Sequence, residues 1–143
     1  MSINTNADIK YNGITPEDIA ALRAITGAER CLTGSGISED YSHDELVGVR
    51  RMPDVLIKVE TTEEISSIMR FAHGRSIPVV VRGSGTGLAG GAIPVEGGIM
   101  IETTRMNKIL EFDADNSTVT VQPGVLLMDL SEYVSSRGFF YPP

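Results

Sequence analysis

The sequence predicts an α+β fold in which a small parallel βαβ unit is followed by antiparallel strands and a last helix. Three patterns carry this prediction: strand, helix and strand over residues 54–81, a hairpin over residues 109–122, and helical apolar spacing over residues 127–134. The chain has 143 residues, of which 41% are hydrophobic, so it is large enough to bury a core. No internal repeat or low-complexity linker divides it.

The amino-terminal third predicts a tail, one helix and an irregular segment. The first ten residues are polar and predict a loose tail. Thr15 can cap a helix whose first position suits Pro16, and Gly27 can end it. Residues 31–52 are mixed and polar, and we expect an ordered loop with little regular structure there. The apolar stripe of the helix is formed by Ile19, Leu22 and Ile25.

The βαβ pattern follows from residue 54 onward. Residues 55–59, Val-Leu-Ile-Lys-Val, predict a strand, and Thr61 with Glu64 matches the capping box of a helix that Gly74 would end. Residues 77–81, Ile-Pro-Val-Val-Val, predict a second strand. Strand, helix and strand in this order favour a parallel pair joined by a right-handed crossover.

The remaining elements have weaker but consistent patterns. Residues 98–102 predict a third strand, and residues 109–112 and 118–122 predict a hairpin around an Asp-Ala-Asp-Asn turn. A last helix is predicted by Leu127, Leu130 and Val134, and Gly138 would stop it.

Composition excludes several classes of function. The net charge is −7 and no basic stripe is present, which argues against a nucleic-acid partner. A single cysteine, Cys31, excludes a disulfide framework and indicates a reduced, intracellular setting. No apolar run approaches the roughly 20 residues of a membrane helix. We therefore expect a cytoplasmic protein, with peripheral membrane association left open.

A glycine-rich segment follows the second strand of the βαβ unit. Residues 83–91 read Gly-Ser-Gly-Thr-Gly-Leu-Ala-Gly-Gly, so five of nine are glycine. Without Cβ atoms, successive N–H groups can turn toward one anion and form a nest. Ser84 and Thr86 add hydroxyl donors, while Arg82 could bind a phosphate or pair with an acid. A flexible surface loop is the less consistent alternative, because predicted strands flank the segment on both sides.

A Rossmann fingerprint is the closest rival interpretation of this loop. Residues 85–90 match GxGxxG after a strand, but that mechanism needs a helix to begin at the loop. Pro94, Gly97 and Gly98 leave no room for such a helix before the next strand. A P-loop is excluded because no Gly-Lys-Ser/Thr ending is present. The segment is therefore interpreted as a helix-free phosphate cradle.

Residues 81–92 resemble the pyrophosphate loop of the FAD-binding domain shared by p-cresol methylhydroxylase and vanillyl-alcohol oxidase relatives. The similarity is greatest to the branch that contains a component of glycolate oxidase and the D-lactate dehydrogenases. Tyr-Ser-His-Asp at 41–44, Arg-Met-Asn-Lys-Ile at 105–109 and Val-Gln-Pro-Gly-Val at 121–125 match further landmarks in order. The resemblance implies a tail and helix at 1–37 and the N-terminal, incomplete part of an FAD-binding domain at 38–143.

The resemblance also implies where the cofactor lies. Backbone N–H groups of residues 83–88 would bind the FAD pyrophosphate, and two later glycines would line the same pocket. Because no histidine is present in the loop, non-covalent FAD is implied. The implied cofactor-binding residues are Arg82, Gly83, Ser84, Gly85, Thr86, Gly87, Leu88, Gly90 and Gly91.

The implied activity is the oxidation of D-lactate or glycolate to a 2-keto acid by hydride transfer to FAD, in a longer parent protein. The partners we consider are a small 2-hydroxyacid substrate, an electron-transfer protein and, in an oligomer, further copies of the chain. An electron-transfer flavoprotein subunit, or an inert half-domain, are the alternatives. No catalytic or metal-binding residue is assigned here: His43 and His73 lack matched spacing, and Cys31 is interpreted as structural.

Overall fold

The computed structural model describes residues 10–142 and confirms the α+β class. Most of the predicted loose tail, together with Pro143, lies outside the described residues. The elements in chain order are α1 (Pro16–Thr26), β1 (Cys31–Thr33), β2 (Val55–Lys58), α2 (Thr62–Arg75), β3 (Val79–Arg82), β4 (Ile99–Glu102), β5 (Ile109–Asp113), β6 (Thr118–Val121) and α3 (Leu127–Ser135).

The main sheet has four strands in the order β1-β2-β4-β3. β2, β4 and β3 are parallel, and β1 pairs with β2 in the antiparallel sense. The expectation of little regular structure over 31–52 was therefore wrong at β1, where Cys31 is buried opposite Ile57. Three residues are too few for an alternation pattern to indicate a strand.

β2 and β3 are parallel, as predicted, but they are not neighbours. β4 lies between them and pairs with both, so that Ile99 faces Val55 on one side and Val79 on the other. All four residues of β4 are buried, whereas β3 is only partly covered. The most completely buried strand thus takes the central position, as is usual for parallel sheets covered on both faces.

Both predicted N-terminal caps are present. The Thr15 hydroxyl accepts from the N–H of Asp18, whose carboxylate accepts in return from the N–H of Thr15. Thr61 and Glu64 form the same capping box on α2. The predicted end of α2 at Gly74 was wrong, because the helix continues to Arg75 and ends on Ser76 in the left-handed conformation.

The core lies between the sheet and the two helices. Alternate residues of β2 and β4 point to this layer and pack against α1 and α2. Because the residues between them are covered on the other face, burial along both strands is nearly continuous. The opposite face carries a smaller cluster of Ile37, Leu56 and Met100. The main cluster includes Leu22, Val55, Ile57, Ile68, Ala72, Ile99 and Ile101.

The second part of the chain forms the predicted hairpin and a helix. β5 and β6 pair with an irregularity between Ile109 and Glu111, and Phe112 on β5 packs edge-on against Tyr133 of α3 and against Phe139. Hydrogen bonds between the two chain segments continue beyond the regular strands, since the N–H of Gly124 donates to the carbonyl oxygen of Met106 at 2.8 Å. The predicted order of parallel and then antiparallel strands is confirmed.

Candidate functional site

The glycine loop connects β3 to the central strand β4. From Gly83 to Gly98 the backbone forms turns and bends, and the next regular element is β4 itself. No helix begins at the loop in this part of the described chain, so the geometry that a Rossmann site requires is absent.

Two glycines of the loop have a positive backbone φ angle. Gly85 has a φ of +78° and Gly90 a φ of +76°, whereas Ser84 and Thr86 are not among the residues with positive φ. A residue of positive φ within such a loop is one component of the backbone nests that bind anions. The loop is largely exposed, and Leu88 is 77% exposed.

The inner side of the loop packs against residues 40–46. A Cβ atom at Gly85 would collide with the guanidinium of Arg82, and one at Gly90 would lie 2.9 Å from the Cδ2 of Leu46. One at Gly87 would face Asp44 Oδ2 at 3.8 Å. These three glycines are therefore in contact with the protein's own side chains.

The outer side of the loop is open. Cβ atoms added at Gly83 or Gly91 would meet no atom within 4 Å. A ligand therefore has room to approach the loop on this side, where Ser84 and Thr86 line a groove. Some glycines of the loop are thus required by close packing against the protein's own side chains, and others leave space in which a ligand could lie.

Arg82 fixes the loop to the segment beneath it. Its guanidinium is buried and donates to the carbonyl oxygens of His43 at 2.5 Å and Asp40 at 3.0 Å, beside the ring of Tyr41 at 5.4 Å. The pairing with an acid that the sequence left open is not found, because no ion pair to Arg82 forms among residues 10–142. Its assignment as a direct cofactor contact stays a prediction.

A groove of about 470 Å³ lies along the outer side of the loop. One wall is formed by Gly83, Ser84 and Thr86, and the other is formed by residues 123–128. The groove is also lined by Thr104, which follows β4 in the chain. α3 begins in this second wall after Leu126, which provides no side-chain cap to its first N–H groups. A helix N-terminus without a side-chain cap favours an anion, although Asp129 places a negative charge in the same first turn.

Sequence reasoning missed the contribution of Thr104 and of the start of α3 to this groove. Leu126 was a usable signal, because an aliphatic residue at the N-cap leaves the first turn without the acceptor that Ser, Thr, Asp or Asn would supply. The Pro123-Gly124 pair is part of a family landmark, but nothing in its composition indicates a groove wall.

The remaining sequence candidates lie away from the groove. His73 is in the last turn of α2, as predicted, and lines a second, largely apolar cavity of about 430 Å³ together with Met69 and Pro94. His43 Nδ1 lies 3.2 Å from the hydroxyl of Ser42. Burial raises the pKa of the Cys31 thiol, which makes it a poor nucleophile at neutral pH.

Two other features of residues 10–142 bear on function. No group of three His, Cys, Asp or Glu side chains in this range is arranged to hold a metal ion. None of the helices described there has the length and apolar character needed to cross a membrane.

Comparison with known proteins identifies the family. A family model described as an FAD binding domain matches residues 53–143. D-lactate dehydrogenase of Anaerostipes hadrus is 41% identical over 138 residues, which are 96% of this chain and 29% of that protein. Glycolate oxidase subunit GlcD of Bacillus subtilis (strain 168) is 47% identical over 103 residues, which are 72% of this chain and 22% of that protein.

A solved structure supports the fold. p-Cresol methylhydroxylase with substrate bound superposes with a TM-score of 0.75 and 22% identity, over 90% of this chain and 26% of that one. The chain thus spans less than a third of the length of each of these proteins. Its helix-free glycine loop, with open space at Gly83 and Gly91 and a groove beside Gly83, Ser84 and Thr86, fits the cofactor that the family model describes. The chain belongs to the FAD-binding domain family and has the p-cresol methylhydroxylase type of fold.

Proposed function

We propose that the protein is an FAD-dependent oxidoreductase that converts a D-2-hydroxyacid, D-lactate or glycolate, to the 2-keto acid. The observation that carries this proposal is the open outer side of the glycine loop, where Gly83, Ser84 and Thr86 face the groove. The substrate class is supported by the names of the relatives in Anaerostipes hadrus and Bacillus subtilis.

In this proposal the loop binds the pyrophosphate of FAD. The N–H groups of residues 83–88 and the hydroxyls of Ser84 and Thr86 donate to its oxygens, and Gly90 and Gly91 line the same pocket. Arg82 holds the loop in shape from below. Because the chain is acidic overall, such an anion is held by local donors rather than by the net field.

The bound FAD supplies the acceptor for a hydride from the substrate α-carbon. The hydroxyl proton goes to a base, and none of residues 10–142 is assigned that role. The protein's contribution within this chain is to bind the cofactor and to fix its orientation.

Non-covalent attachment is part of the proposal. The loop contains no histidine or cysteine to which the flavin could be joined, and both histidines of the chain lie elsewhere. FAD should therefore leave the protein on denaturation.

The test is made on the full-length protein. We expect a yellow preparation whose flavin spectrum moves to the supernatant after acid precipitation of the protein. A panel of D- and L-2-hydroxyacids with an artificial electron acceptor should show turnover of the D-acids or glycolate. A colourless protein that takes up no FAD on reconstitution would refute the cofactor assignment, and flavin without turnover of any acid would refute the activity.

A second candidate is an FAD-binding electron-transfer subunit of a larger complex, because one relative is named as a subunit. In that case the protein would bind FAD but would reduce an artificial electron acceptor only when its partner protein is added. A third is that this chain alone binds flavin weakly, since the groove wall leaves Leu126, Leu127 and Met128 50–79% exposed. The oligomeric state, the cytoplasmic location and peripheral membrane association stay predictions.

A further inference from the structure

The carboxylate of Asp44 is buried beneath the glycine loop and is only half satisfied. The residue is 4% exposed, and its Oδ1 accepts a hydrogen bond from the N–H of Leu46 at 2.9 Å. Its Oδ2 is also buried but has no hydrogen-bond partner among residues 10–142. A buried charged oxygen without a donor is costly, so this atom requires an explanation.

The unpaired oxygen faces the middle of the loop. A Cβ atom at Gly87 would lie 3.8 Å from Oδ2, so the absence of a side chain there leaves the carboxylate directly beneath the loop backbone. The two segments are held together at this point, because the N–H of Glu45 donates to the carbonyl oxygen of Gly87 at 3.0 Å. Arg82 also donates to the carbonyl oxygen of His43, so Asp44 is fixed from both sides.

Simple electrostatics makes this position unfavourable for the proposed ligand. A carboxylate beneath a pyrophosphate site repels the incoming anion, and removing its charge would then strengthen binding. The opposite result is expected if the carboxylate is used as a hydrogen-bond acceptor. The sign of the effect of neutralising Asp44 therefore distinguishes the two interpretations.

We propose that Asp44 is a positioning residue for the glycine loop. With FAD bound, its Oδ2 accepts a hydrogen bond from a backbone N–H of residues 86–88. This bond holds the loop in the conformation in which its remaining N–H groups face the pyrophosphate. The inference rests on the proposed function, because it requires FAD to lie on the outer side of the loop.

The first test is Asp44→Asn in the full-length protein. The amide oxygen can keep the bond from Leu46 while the amide nitrogen replaces Oδ2, so only the proposed acceptor is lost. We expect FAD affinity, measured by quenching of flavin fluorescence, to fall by about tenfold or more, as for a lost hydrogen bond to a charged group. Affinity that is unchanged or increased would overturn the proposal.

The control is Glu45→Gln, which makes the same change in charge at the next residue on an exposed side chain. We expect its FAD affinity to stay within about twofold of wild type, because exposed charges are screened by salt. An equal loss in both variants would assign the effect to net charge and overturn the proposal.

A second readout separates positioning from general destabilisation. At saturating FAD, the amides of the glycine loop in Asp44→Asn should exchange with solvent faster than in wild type, with unchanged protection in α2. Unchanged loop protection would overturn the proposal.

Should Asp44→Asn not fold, Gly87→Ala tests the same contact. Its methyl would lie 3.8 Å from Oδ2 on the inner side, away from the ligand, and would block the closer approach of the loop that the proposed hydrogen bond requires. We expect weaker FAD binding with an unchanged melting temperature, and wild-type affinity would overturn the proposal. A wild-type protein that binds no FAD would overturn the proposed function as well, whereas FAD-loaded wild type with unaffected variants would overturn this inference alone.

Discussion

At the residue scale, the glycines of the loop are required for different reasons. Gly85 and Gly90 have positive φ and press against Arg82 and Leu46, whereas Gly83 faces open space. Glycine enrichment alone indicated a backbone that approaches something closely. Whether that something is a ligand or the protein itself depends on residues 40–46, whose position could not be predicted from the sequence.

Gly85→Ala should therefore lower the stability of the fold, whereas Gly83→Ala should affect only FAD binding. Alanine at 85 is strained by its positive φ and displaces the guanidinium of Arg82 from two carbonyl oxygens, which should cost about 2 kcal/mol or more of unfolding free energy. Alanine at 83 should leave the unfolding free energy of the FAD-free protein unchanged and weaken FAD binding. Urea unfolding without FAD and flavin titration measure the two effects, and equal stability losses in both variants would contradict this division.

The role of Arg82 illustrates what a sequence leaves undetermined. Its charge suggested a phosphate or an acid as partner, but its partners are the carbonyl oxygens of Asp40 and His43. Backbone acceptors are present at every residue, so no residue type marks them.

At the element scale, Glu64 has two tasks at the start of α2. Its carboxylate closes the capping box and also pairs at 2.6 Å with Arg30, the residue before β1. Burial raises the pKa of Glu64, but the hydrogen bonds and charge of Arg30 and the N–H groups of Glu60 and Thr61 outweigh it, so the pKa is lowered overall. The same side chain thus orders a helix end and holds the edge strand to it.

Glu64→Gln should destabilise the protein by about 2 kcal/mol at pH 7, through the lost charge-assisted bonds to Arg30. A carboxyl whose pKa is lowered by folding stabilises the folded state above its unfolded pKa, and this contribution is lost as pH falls through the folded pKa. The difference between variant and wild type should therefore shrink below about pH 4.5, the ordinary value for this group.

Urea unfolding at several pH values checks this expectation. Glu63→Gln, an exposed neighbour in the same helical turn, is the matched control and should cost little at any pH. A Glu64→Gln deficit that stays constant down to pH 3 would show that the loss is not electrostatic.

Elements with strong local signals were predicted to within one or two residues. The caps of α1 and α2 are examples, because a capping box is a local interaction. β3 begins at Val79 rather than Ile77, since Pro78 has no N–H and the N–H of Ile77 donates to the carbonyl oxygen of Ala72 at the end of α2. β1 was missed because its pairing, not its composition, makes it a strand.

At the scale of the whole molecule, Gly124 lies directly against the backbone that leaves the main sheet after β4. A Cβ atom there would collide with the carbonyl oxygen of Thr103, the Cα of Thr104 and the carbonyl oxygen of Met106. These are backbone atoms, which cannot rotate away. The groove depends on this contact, because its second wall begins at residue 123.

Gly124→Ala should therefore separate the two parts of the molecule. We expect a loss of about 2 kcal/mol or more, as for overpacking in a tight contact, together with weaker FAD binding. Gly36→Ala, at a position with nothing within 4 Å and no positive φ, is the control and should be neutral. Thermal unfolding and flavin titration of both variants test this, and a stable Gly124→Ala with normal FAD affinity would contradict it.

The class of the fold and the helix-free course of the glycine loop could be predicted from the sequence, whereas the groove could not. Its walls come from residues 83–86 and 123–128, which meet only because β4 and the segment after it bring the two sheets together. Local patterns predict elements, but the distance between elements remote in sequence depends on tertiary packing.

The central position of β4 also constrains the order in which the chain folds. β2 and β3 do not pair with each other, and neither has its parallel partner until β4 arrives between them. The glycine loop joins β3 to β4, and its glycines lose more conformational freedom on ordering than other residues would, so pairing these two strands carries an added entropic cost. The segment proposed to hold the cofactor therefore also contributes to the free energy of assembling the sheet, so the two demands act on the same few residues.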